Sequence, residues 1–183
     1  MTAAIFDRLQ AELGAPPTDA QPSGTPSAIG RGALQLLSHT VSHGVLVLDI
    51  DPAQLLTLSQ RLRDGYGFDL LLDVTAVDWP GTERRFQVVH HFYATTHKVR
   101  VRVTCRVTEA DPTIDSLTSL YGSAGYMERE CHDMYGIRFR GNPDLRPILL
   151  YEGFVGHPLR KDYPKQQEQP LVPYRPPQSA LVR

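Results

Sequence analysis

The segment from Lys98 to Val107, KVRVRVTCRV, alternates without a break. Val99, Val101, Val103, Cys105 and Val107 fall on one side of an extended chain, with Lys98, Arg100, Arg102, Thr104 and Arg106 on the other. Successive strand residues point to opposite faces, so the pattern predicts a strand with one face on a core and one basic face. The basic face has three readings. It is a solvated outer sheet surface, a docking surface for an acidic partner, or an RNA platform. The last needs aromatic rings among the cations for base stacking, and the basic face of this strand carries none.

The neighbouring sequence supplies partners for that strand. Gly44 to Ile50 (GVLVLDI), a strand within Phe68 to Val77, and Phe86 to Tyr93 read as three more, rich in β-branched and aromatic residues. Leu70, Leu71 and Leu72 form a run too apolar to be half-solvated. Trp79-Pro80-Gly81 ends the second strand, and Thr95-Thr96-His97 turns the third into the fourth. After the first strand, Asp51 and Pro52 supply an N-cap and a first-turn proline. They open a helix with Leu55, Leu58 and Leu62 on its buried stripe, helped by Leu56 and ended by Gly65. After the fourth, Pro112 and Asp115 open a helical turn through Leu117 and Leu120. A second helix then places Met127, Cys131, Met134 and Tyr135 on one face, with Arg129, His132 and Asp133 opposite. Gly136 stops it.

The element order β-α-β-β-β-α predicts an α+β fold: a roughly four-stranded, mainly antiparallel sheet with helices on one face. Residues 34–136 form this domain. Residues 1–13 carry Ile5, Phe6, Leu9 and Leu13 on one face of a short amphipathic helix. Residues 14–33, rich in Pro, Gly, Ser and Thr, read as a flexible linker that tethers it. Residues 137–183 form an extended arm, ending in a proline-rich tail through Pro170, Pro173, Pro176 and Pro177.

Several function classes recede on composition. The net charge of −1 sets up no field that would recruit nucleic acid or an anionic membrane. No apolar run approaches the roughly 18 residues of a spanning helix, so membrane association is expected only through another protein. The start of the chain lacks the basic and apolar regions of a signal peptide. Cys105 and Cys131 have no zinc or iron–sulfur spacing and read as buried thiols, with a disulfide between them as the alternative. Glu128 and His132 stand four apart on one helix face, but two ligands do not close a metal site. His39, His43, His90 and His91 read as structural. No phosphate loop, dinucleotide fingerprint or assembled catalytic triad is evident, so neither a catalytic residue nor a cofactor- or metal-binding one is assigned.

The segment after Gly136 is the informative one. Gly, Asn-Pro, Pro, Gly, Gly and Pro interrupt it too often for a helix or paired strand. It nonetheless carries Ile137, Phe139, Leu145, Ile148, Leu149, Leu150, Tyr151, Phe154 and Leu159. Irregular backbone this apolar must be buried, either on its own domain or on another protein.

The stretch Glu128-Arg129-Glu130-Cys131-His132-Asp133-Met134-Tyr135-Gly136-Ile137 is followed by Pro143-Asp144-Leu145-Arg146, Ile148-Leu149-Leu150 and Gly156-His157-Pro158-Leu159-Arg160-Lys161-Asp162-Tyr163-Pro164. Together they resemble the signature of the C-type subunit of the proton-pumping NADH:quinone oxidoreductase, respiratory complex I. Departures are Tyr126 for Trp, His132 for Tyr or Phe, Asn142 for His and Pro147 for Arg. The resemblance implies a non-redox assembly subunit of the peripheral arm, on the cytoplasmic face of the bacterial inner membrane. NADH, FMN, iron–sulfur clusters and quinone would be held by partner subunits: the quinone-site subunit (D type) and iron–sulfur subunits (B and I types). A homologous subunit of a membrane-bound hydrogenase or another quinone-reducing dehydrogenase is the close alternative.

On this reading Glu128, Arg129, Glu130, Asp133, Asp144, Arg146, Leu149, Phe154, His157, Arg160, Lys161 and Asp162 are candidate partner contacts. The arm is expected to be ordered mainly by partners and to be removable after Gly141 without unfolding the domain.

Overall fold

The computed structural model describes Arg8 and residues 36–166. The linker and the proline-rich tail beyond Gln166 lie outside the described residues, as does the N-terminal helix except Arg8. Arg8 is helical and sets its guanidinium 5.7 Å from the ring of Tyr66.

Among the described residues, seven strands and two α-helices longer than a turn follow in order. They are β1 (Leu36–Ser42), β2 (Val45–Ile50), α1 (Leu55–Tyr66), β3 (Leu70–Asp78), β4 (Phe86–Ala94), β5 (Val99–Val107), β6 (Thr113–Asp115), α2 (Ala124–Tyr135) and β7 (Arg138–Arg140). The main sheet has five strands in the order β1-β2-β5-β4-β3. β2 and β5 pair in parallel, with Leu46 opposite Val101 and Ile50 opposite Cys105, while every other pair in this sheet is antiparallel. The fold is therefore α+β with a mixed sheet. Beside it, β6 and β7 form a small parallel pair that buries Ile114 and Phe139.

The alternation read from β5 sets the centre of the sheet. Its valines and Cys105 are buried in one core with Leu46 and Leu48 of β2, Val88 and Phe92 of β4, and Leu55, Leu58 and Leu62 of α1. Asp51 caps the turn of 3₁₀-helix that leads into α1 by accepting from the Ala53 amide at 3.0 Å.

Five expectations change. The strand Leu36–Ser42 is additional to the four expected. It is an edge strand without clean alternation, held by backbone pairing to β2 through a two-residue turn, His43-Gly44, whose φ values of 52° and 76° suit a tight hairpin. Helix α1 runs through Gly65 to Tyr66 and ends at Gly67, and Leu56 lies at its exposed margin. Leu70 and Leu72 are exposed, because β3 is the opposite edge of the sheet and only Leu71 of that run turns inward. The residues before α2 include β6 rather than helix alone. The domain does not stop at Gly136, since Ile137 and Phe139 are core and β7 pairs with β6. The arm begins after Arg140.

Candidate functional site

Two of the three helix carboxylates expected to face a partner, Glu128 and Asp133, point inward instead, while Glu130 stays exposed. Ala124, Glu128 and Cys131 lie at i, i+4 and i+7 and share the buried stripe of α2. Glu128 is fully buried and accepts three hydrogen bonds, from the Ser116 hydroxyl (2.7 Å), the Leu117 amide (2.7 Å) and the Asn142 side-chain amide (2.8 Å). Burial pushes its carboxyl above the usual range, against the pull of those three donors. Asp133, also buried, accepts from the amides of Ile148 (2.8 Å), Leu149 (3.0 Å) and Leu150 (3.3 Å) through one oxygen. Burial works to raise its pKa, but the amides and nearby His132 outweigh it, so the carboxyl lies below the ordinary range. Irregular backbone has unpaired N–H groups, and these two carboxylates satisfy them.

The end of α2 is closed by the arm. A helix leaves its last four carbonyls without intrahelical partners. Here the His132 carbonyl accepts from the Gly136 amide at 2.8 Å. The Asp133 carbonyl bonds His157 Nδ1 at 2.8 Å, Met134 accepts from the Leu159 amide at 3.1 Å, and Tyr135 accepts from Arg160 Nε at 2.7 Å. The stretch His157-Pro158-Leu159-Arg160 is thus a cap supplied from the arm. Gly136 makes the approach possible. Its φ is +76°, and a Cβ there would lie 2.5 Å from His157 Nε2 and 2.6 Å from an Arg160 nitrogen.

A charged staple fixes the far end. Arg85 binds Asp78 at 2.7 and 2.9 Å, Glu109 at 2.7 Å and Asp162 at 2.9 Å. The Lys161 amide donates to Asp78 at 2.7 Å. The Arg85 guanidinium holds the Asp78 carboxyl below the ordinary range despite burial. Arg160 also lies 4.9 Å from the Phe86 ring centre. At the near end, Arg129 donates to the carbonyls of Arg146 and Pro147, and Arg146 pairs with Asp144.

The arm is therefore docked on its own domain, where the expectation was that mainly partners would order it. Its apolar side chains divide. Phe154 is half-buried between Tyr151 and Tyr163. Ile148, Leu149, Tyr151, Val155 and Leu159 remain exposed, Leu149 at 60% and Val155 at 70%. Of the twelve sequence candidates, Glu130, Leu149 and Lys161 offer exposed side chains without a described partner. Arg129, Asp144, Arg146, His157, Arg160 and Asp162 are engaged in holding the arm, and Glu128 and Asp133 are interior. Tyr126 on α2 (67% exposed) and Val155 extend the exposed apolar set. Neither is among the sequence candidates, although Tyr126 stands two residues before Glu128, where the quoted signature begins.

Cys105 and Cys131 are free, buried thiols, each pushed up by burial. Among the described residues no group of three or more His, Cys, Asp and Glu is placed to hold a metal ion, and no helix is long and apolar enough to cross a membrane.

An α+β body that locks an irregular, apolar-studded arm onto its surface defines a class of arm-bearing α+β domains. Likeness to known proteins gives that class a family. The family model described as respiratory-chain NADH dehydrogenase, 30 Kd subunit, matches residues 48–169, and the chain belongs to that family. The C-type subunit of NADH-quinone oxidoreductase from Citrifermentans bemidjiense is 45% identical over 136 residues, covering 74% of this chain and 84% of that one. Its counterpart from Xanthobacter autotrophicus is 42% identical over 151 residues, 77% of this chain and 72% of its own length. In structure, a trypsin-resistant fragment of Nqo5 matches with a TM-score of 0.53 and 28% identity, over 58% of this chain and 88% of the fragment. A chain of an archaeal membrane-bound sulfane sulfur reductase matches with a TM-score of 0.63 at 24% identity, over 70% of this chain and 78% of that chain. That likeness is one of fold.

Proposed function

We propose that this chain is the non-redox, C-type assembly subunit of a proton-pumping NADH:quinone oxidoreductase. In this reading it is seated in the peripheral arm on the cytoplasmic face of the bacterial inner membrane. It joins the quinone-site subunit (D type) to iron–sulfur subunits (B and I types). Electrons pass from NADH to quinone through those partners, which hold FMN, clusters and quinone. This chain contributes position.

The observation that carries the reading is the exposed apolar row Ile148, Leu149, Tyr151, Val155 and Leu159 on an arm whose backbone is already fixed. Irregular chain pre-ordered on a domain loses little further entropy on docking, so its apolar side chains serve as anchors for a neighbour. Exposed apolar rows of this kind mark interaction sites.

The test is Leu149→Asp with Leu159→Asp in the host. The full-length double variant is expected to melt with the wild type, since both positions are exposed. Membranes carrying it are expected to lose the assembled complex and NADH-driven quinone reduction. Normal assembly and activity would refute the proposal.

A further inference from the structure

The outer face of the five-stranded sheet, opposite the helices, holds a feature that the arm does not explain. Arg100, Arg102 and Arg106 line this face of the central strand β5, and Lys98 stands just before it. None of the four forms an ion pair with a described residue. On the arm side, by contrast, Arg85, Arg129, Arg140 and Arg146 each have a carboxylate. Arg102 carries a buried Nε with no acceptor. The carboxylates of the same face are Asp49, which accepts from the Thr104 hydroxyl at 2.9 Å, and Asp73, opposite His91 on the neighbouring strand. The balance along the ridge is positive.

Neighbouring strands add what β5 lacks alone. Tyr93 lies beside Arg100, whose guanidinium is 5.8 Å from its ring centre, and the Trp79 ring lies 5.7 Å from the guanidinium of Arg106. Each ring already holds a guanidinium on one face, and the carboxylates of Asp49 and Asp73 on the same surface oppose a phosphate backbone, which favours protein over RNA. At one end the ridge opens into a cavity of about 340 Å³ lined by His43, Gly44, Val45, Tyr93, Lys98, Val99 and Arg100. His43 and Lys98 sit in the two hairpin turns at this end of the sheet, with φ of 52° and 54°, and both line this cavity.

We infer that this basic outer sheet face is a second docking surface, occupied by a carboxylate-rich segment of another subunit of the same complex. A segment of that chemistry supplies acceptors to the unpaired guanidinium groups and reaches Lys98 in the terminal cavity. The inference rests on the assembly reading above, but uses a face on the other side of the sheet from the helices.

The experiment is zero-length carbodiimide coupling of the native complex in membranes, using Lys98 and the amine introduced by Arg102→Lys. The expected product joins one of these amines to an Asp or Glu of another subunit. Coupling only to Asp49, Asp73 or carboxylates of residues 1–35 or 167–183 of this chain overturns the inference. So does free acetylation of both amines within the complex, or ultraviolet cross-linking of this face to RNA. In parallel, full-length Arg100→Glu/Arg106→Glu is expected to keep the wild-type melting temperature while its retention in the complex through a salt wash falls about tenfold. Arg100→Lys/Arg106→Lys restores retention. Wild-type retention of the charge-reversed variant refutes the surface. Absence of even the unaltered chain from the complex refutes the assembly reading and this inference with it.

Discussion

Arg85→Met is the most informative single change in the staple. Methionine keeps the unbranched stem and removes the guanidinium. Asp78, whose side chain is 0% exposed, then loses hydrogen bonds of 2.7 and 2.9 Å and retains the Lys161 amide. Removing one member of a buried pair typically costs about 3–5 kcal/mol. An upper bound comes from the carboxylate's escape route, protonation. Neutralising a group of ordinary pKa near 4 at pH 7 costs about 4 kcal/mol. The expected loss is therefore about 3–4 kcal/mol, or roughly 6–16 °C in melting temperature for a chain of this size. The pH dependence is specific. In the wild type the Asp78 carboxyl is depressed in the folded state. Its stabilisation is fully present above the unfolded pKa, and is lost as pH falls through the folded value. The gap between wild type and variant should therefore narrow below about pH 4. Urea denaturation of the full-length chain across pH, with Asp78→Asn and the double variant closing the cycle, measures it. A loss under about 1 kcal/mol that does not change with pH would refute the argument, because an exposed pair behaves that way.

Three further outcomes are expected. Gly136→Ala should cost about 1–2 kcal/mol for its left-handed backbone alone and push His157 and Arg160 off the helix end, read as faster proteolysis between Ile148 and Tyr163. Asp133→Ala should cost about 1–3 kcal/mol by stranding three amides, with hydrogen exchange at Ile148, Leu149 and Leu150 accelerating before that of β5. His90, wholly buried with neither ring nitrogen in a hydrogen bond of ordinary geometry, is pushed down to about 3 by burial. Its folded pKa is depressed, so the stability it leaves intact above its unfolded pKa is lost as pH falls from about 6.5 toward 3, and His90→Leu should flatten that part of the curve.

Much of the body is legible in sequence because periodicity and burial agree there. The alternation of β5, the Asp51-Pro52 helix start and the turn after Ala94 need no tertiary information. Edge strand β1 is hidden because its residues contribute backbone pairing more than a buried face. Leu70 and Leu72 mislead for the reverse reason: they are apolar but lie on an edge that nothing described covers. The carboxylates of α2 read as outward on charge alone. A signal does exist, since Ala124, Glu128 and Cys131 fall on one stripe, and an irregular segment with many unpaired amides must find acceptors somewhere. What no local pattern reveals is which carboxylate serves which loop, because Glu128 meets Asn142 and Asp133 meets Ile148 only once the chain has folded back. Deleting everything after Gly141 would consequently strip donors from Glu128, Asp133 and Asp78, and the domain would not be left unharmed.

The position of β5 also governs how this sheet can be made. The chain delivers two outer pairs of strands around it: β1 with β2, then β3 with β4. Neither pair has its inner neighbour until β5 arrives and slides between β2 and β4. The Leu46–Val101 pairing closes a loop of roughly fifty residues, an entropy cost repaid only when the whole central strand zips. During synthesis the apolar faces of β2 and β4 must therefore wait on the ribosome for Val107. Until then they present open strand edges suited to wrong partners or to a chaperone. Cutting the chain before β5 leaves two flaps without a keystone, whereas a break within the turn residues 79–85 leaves all five strands available for reassembly.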